Sequence, residues 1–66
     1  MNAERKPWRH VRTGETIYDP AHGSFIVDGI EDSPLFGMRV RLVNAFNHDQ
    51  AFQSKVDRNY VVTVVA

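Results

Sequence analysis

The chain has 66 residues, with 8 Lys and Arg balanced by 8 Asp and Glu, and no cysteine. That length allows one hydrophobic core, because two would leave neither half enough buried surface to offset chain entropy. The missing thiols exclude disulfide staples, thiolate catalysis and every cysteine-based zinc site, while a neutral total argues against nonspecific nucleic-acid binding, whose affinity comes mainly from cations neutralising phosphates.

Residues 1–7 are polar and end in Lys6-Pro7, so they are expected to form a flexible N-terminal arm ahead of one small β-rich domain over residues 8–66. The arm lacks the apolar core of a signal peptide. No apolar run along the chain is long enough to span a bilayer, and the expectation is a cytoplasmic protein. Residues 8–13 alternate only in part and read as an edge strand. Gly14-Glu15 suits a turn or bulge, after which Thr16-Ile17-Tyr18 resumes a strand-like run.

Asp19-Pro20-Ala21-His22-Gly23 is the clearest turn signal: Asp bonds forward to backbone N–H, Pro presets φ, and Gly tolerates a positive φ. A hairpin pairing residues 16–18 with 24–27 follows from it. Asp28-Gly29 fits a second turn or a bulge. The stretch from Glu31 to Gly37 reads as a loop, since Pro34 blocks regular pairing, yet it contains the large apolar pair Leu35 and Phe36. In residues 38–44 the alternation is clean, with Met38, Val40 and Leu42 on one face and Arg39 and Arg41 on the other. Asn47 as N-cap, Gln50 three residues later and Phe46 against Ala51 match a capping box with a hydrophobic staple, so a short helix near residues 48–55 is expected; the rival is an irregular hairpin loop. A turn at residues 57–59 leads into a closing strand over 60–66, apolar on both faces and therefore suited to the interior of a sheet.

These elements make the chain mainly β: a small five-stranded antiparallel sheet, or an SH3-like or OB-like barrel that removes exposed edges, or a flatter sheet with the helix on one face. The expected core is Val11, Ile17, Phe25, Val27, Val40, Leu42, Tyr60, Val62 and Val64.

Chemistry-bearing patterns are sparse. His10, His22 and His48 sit in three separate elements without metal-ligand spacing, and Ser24, Ser33 and Ser54 lack any nucleophile-elbow context. Asp28, Glu31 and Asp32 lack EF-hand spacing. No catalytic residue, cofactor or metal is expected, and the chain reads as a non-enzyme.

Charge is segregated along the sequence. Arg5, Lys6, Arg9 and Arg12 against Glu4 leave residues 1–12 at +3, while residues 13–37 hold Glu15, Asp19, Asp28, Glu31 and Asp32 with no Lys or Arg. An acidic patch with apolar anchors suits a larger protein partner, and the expected contact residues are Trp8, Asp28, Glu31, Asp32, Leu35 and Phe36. The expected function is a protein-binding module that inhibits, bridges or regulates that partner, as accessory proteins of phages and mobile elements do. The alternative is a small nucleic-acid-binding barrel that uses Arg9, Arg12, Arg39 and Arg41 with an aromatic platform. A homodimer through an edge strand is compatible with either.

Overall fold

The structure, a computed structural model, describes residues 2–65. Six strands, β1 (Ala3–Pro7), β2 (Thr16–Asp19), β3 (Gly23–Ser33), β4 (Gly37–Asn44), β5 (Ala51–Val56) and β6 (Val61–Val65), form one antiparallel sheet in the order β1-β6-β2-β3-β4-β5. The only helical element among the described residues is a 3-10 turn at Trp8–His10.

Alternation sets the two faces. In β4, Met38, Val40 and Leu42 are buried while Arg39 and Arg41 are exposed, as period two requires. β3 would lose that correspondence without its irregularity at Asp28. Val27 lies opposite Leu42 but Gly29 lies opposite Arg41, so Asp28 is an extra residue. The bulge resets the parity and turns Ile30 onto the core face opposite Val40.

The sheet is open, with β1 and β5 as edges, yet it must curl. The link from β5 to β6 is one turn, Asp57 to Tyr60, closed by the Tyr60 N–H donating to the Asp57 carbonyl at 3.0 Å. In a flat sheet those strands would stand about 19 Å apart, four strand spacings, whereas the ends of a β-turn lie within about 7 Å. Curling brings the end of β5 to the start of β6 and encloses the core. The 3-10 turn is tied to the same link: Trp8 N–H donates to the Tyr60 carbonyl at 3.0 Å and Arg9 N–H to that of Arg58 at 3.1 Å. Trp8 and Val11 thereby join Ile17, Val27, Met38, Val40, Leu42 and Val64 in the buried cluster.

Several expectations are corrected. The segment expected to be a flexible arm is β1, because β6 is apolar on both faces and takes a neighbour on each side; Met1 and Ala66 lie outside the described residues. Residues 8–13 are a 3-10 turn and connector instead of an edge strand. Residues 48–55 are no helix. Asn44 Oδ1 accepts the N–H groups of Phe46 and Asn47, and Asn47 Oδ1 accepts that of Asp49, so Asn47, which suggested a cap, joins Asn44 in closing a hairpin. Phe52 then packs edge-on against Phe25, with ring centroids 5.5 Å apart. Glu31 to Ser33 extend β3, leaving only a short tip as loop. Six strands replace five, and the sheet is not closed into a barrel. Tyr60, expected in the core, is 65% exposed, while Phe25 and Val62 are partly buried against it. Among the described residues no helix is long and apolar enough to cross a membrane.

Candidate protein-binding site

The β3–β4 hairpin ends in Ser33-Pro34-Leu35-Phe36-Gly37. Ser33 Oγ accepts the N–H groups of Leu35 and Phe36, each at 3.2 Å, and Gly37 takes φ 84° to start β4. A hydroxyl satisfying two successive amides, a fixed proline φ and a glycine in the left-handed region hold the turn in one shape. That shape leaves Leu35 86% exposed and Phe36 65% exposed. An apolar pair presented on an ordered turn loses little conformational entropy when covered.

Glu31 and Asp32 stand at the base of the tip. Glu31 lies opposite Arg39 across the β3–β4 ladder, and Asp32 Oδ1 accepts from Arg58 Nη2 at 2.7 Å. Glu31, Asp32, Ser33, Phe36, Gly37 and Arg39 line a shallow hollow of about 400 Å³. Arg58 was not legible as part of this end of the molecule, since its turn gives no hint that it crosses to β3.

Of the expected contact residues, the structure brings Glu31, Asp32, Leu35 and Phe36 to one end of the sheet. Asp28 sits further along β3 at the bulge, where its Oδ2 accepts from Arg41 Nε at 3.1 Å. Trp8 is corrected outright: at 6% exposure it belongs to the core and offers no surface.

The segregation of charge along the sequence largely cancels in space. Lys6 Nζ meets Glu15 Oε2 at 2.9 Å, Arg41 meets Asp28 and Arg58 meets Asp32, while the His22 ring Nδ1 shares a hydrogen bond with Asp19 Oδ2 at 2.9 Å. Glu15 also accepts the Arg12 N–H through Oε1. The Lys6 hydrogen bond, foremost, and the Arg12 N–H hold the Glu15 carboxyl below its ordinary value of 4.5. The His22 bond and the Ala21 N–H lower that of Asp19 in the same way.

The basic strip is diluted for the same reason. Arg39 and Arg41 share the solvent face of β4, but Asp28 occupies Arg41 and Glu31 stands opposite Arg39. Arg9 Nη1 donates to Asn59 Oδ1 at 2.7 Å from the 3-10 turn, and Arg12 lies in the connector beside Glu15. With Trp8 buried, its indole is withdrawn from any stacking platform. Among the described residues no three His, Asp or Glu side chains are grouped to hold a metal ion.

No family model, curated protein or solved structure matches the chain.

Proposed function

We propose that the chain is a non-enzymatic protein-binding module whose contact site is the β3–β4 tip, with Leu35 and Phe36 as anchors and Glu31, Asp32 and Arg58 as a charged rim. The observation that carries this reading is the exposure of two large apolar side chains on a turn locked by Ser33. Exposed pairs of this kind cost solubility unless a partner covers them, and anchors surrounded by polar rims are the usual composition of binding hot spots. The partner offers an apolar pocket for Phe36 and mixed charge around it, and the module blocks, bridges or regulates it. The order β6-β2-β3-β4-β5 with its one-turn return supports an SH3-like description of the scaffold.

The test compares the parent chain with the Leu35→Ser, Phe36→Ser double variant, each immobilised and exposed to extract of the native host. The expected result is an unchanged urea midpoint for the variant and loss of whatever protein the parent retains in stoichiometric amount. Equal retention by a folded variant would overturn the assignment.

A further inference from the structure

We propose that the chain self-associates through the free edge of β5, pairing it antiparallel with the β5 of a second copy so that two sheets become one. The two edges of the sheet are unlike. β1 carries Glu4, Arg5, Lys6 and Pro7 within five residues, the charged and proline-bearing composition that discourages edge pairing. β5, Ala51 to Val56, carries one charge, Lys55, with no proline and an unbroken register against β4. Its Phe52 is 45% exposed.

The hydrogen-bond phase of that edge follows from one contact. Asn44 N–H donates to the Gln50 carbonyl at 2.9 Å, so Asn44 and Gln50 form a hydrogen-bonded pair, and with period two Phe52, Ser54 and Val56 point their backbone groups at β4. Ala51, Gln53 and Lys55 therefore point theirs outward. A two-fold axis perpendicular to the sheet keeps the core faces of both copies on one side, which requires partners of equal parity. Centred on Ser54, that symmetry places Gln53 opposite Lys55 of the second copy as hydrogen-bonded pairs. It places Phe52 opposite Val56 of the second copy as closer, non-hydrogen-bonded pairs, and Ser54 opposite itself. Apolar meets apolar on the core face, amide meets ammonium on the other, and no like charges oppose.

A second copy is the occupant that this complementarity selects, because the strand matches its own reverse and the chain's net charge of zero removes repulsion between copies. A contact made by one six-residue strand falls below the roughly 1,200–2,000 Å² of stable interfaces, so the dimer is weak and forms at high protein concentration. The β5 edge is separate from the Leu35 and Phe36 anchors, so failure of either proposal leaves the other standing.

Sedimentation velocity from roughly 0.01 to 1 mM tests it, with dimer expected to accumulate across that range. The chain has no cysteine, so Ser54→Cys introduces a lone thiol that should cross-link to its symmetry mate on mild oxidation. Gln53→Glu should tighten the dimer and Gln53→Lys weaken it, each by roughly tenfold, through the two symmetric contacts with Lys55. Gln53→Pro removes an outward N–H that β4 does not use and should abolish pairing while circular dichroism stays native; Gln53→Lys carries the same test should the proline variant unfold. A monomer throughout the range, no cross-link through position 54, or a dimer indifferent to both Gln53→Lys and Gln53→Glu would overturn the proposal. A monomer whose β5 edge instead takes an added peptide strand would do so too.

Discussion

Replacing Trp8 by Ala should leave the chain at the midpoint of its own unfolding transition. The indole is 6% exposed, packed in the cluster with Val11 and Met38, and its backbone N–H holds the 3-10 turn to Tyr60 at 3.0 Å. Truncating a buried Trp to Ala costs about 3–5 kcal/mol, and a core of this size supplies about 3–5 kcal/mol in all. The two nearly cancel, so roughly half of the variant molecules should be unfolded in buffer at 25 °C. Trp8→Phe keeps most of the apolar volume and should lose about 1–2 kcal/mol. Urea titration followed by circular dichroism gives all three stabilities. Emission from the parent's only Trp should move to longer wavelength as it unfolds. A Trp8→Ala variant within about 1 kcal/mol of the parent would refute the placement of Trp8 in the core and return it to the surface.

Phe36→Ala and Leu35→Ala should each change stability by less than about 0.5 kcal/mol in the same titration, since both side chains stay mostly in water on folding. Gly37→Ala should cost about 1–2 kcal/mol because φ 84° is unfavourable for a residue with a Cβ, visible as a lower urea midpoint. Glu15 has a folded-state carboxyl below its ordinary 4.5, so its contribution is complete above the unfolded value and is lost as pH falls through the folded one. Thermal melts should therefore show Glu15→Gln less stable than the parent at pH 7, with the two converging only in acid, as pH falls through the lowered folded-state value. Binding to single-stranded nucleic acid, measured by anisotropy, should be weak, and Arg39→Ala should lower its salt slope by about one.

The strongest alternations are the ones the sequence makes legible. β4 stands where Met38 to Asn44 put it, the Asp19 to Gly23 turn joins β2 to β3, and β6 lies between two neighbours as its apolar faces suggest. Val11, Ile17, Val27, Val40, Leu42 and Val64 are buried as expected. What escaped detection depends on partners distant in sequence. β1 is a polar stretch whose strand character comes from pairing with β6 at the far end of the chain, Ala3 with Val65 and Pro7 with Val61, and nothing local announces it. β5 was masked by Asn47 and Gln50, whose capping chemistry serves a hairpin turn equally well. Tyr60 follows the strand alternation on paper but belongs to the link that Trp8 grips, which turns it outward. At the site, Leu35 and Phe36 were visible as anomalies in a loop; whether they faced in or out depended on the Ser33 hydroxyl and on the bulge at Asp28, which no periodicity reveals. The acidic segment between residues 13 and 37 was legible as composition, and the ion pairs that neutralise most of it were not.

The most direct measurement places a photoreactive phenylalanine at position 36 and, in a separate sample, at the exposed Tyr18 on β2, and irradiates each in extract of the native host. If the tip is the contact site, position 36 should yield one dominant cross-linked protein that is absent from position 18 and is suppressed by excess unlabelled parent chain but not by the Leu35→Ser, Phe36→Ser variant. Equal cross-linking from the two positions, or competition by the double variant as effective as by the parent, would contradict it.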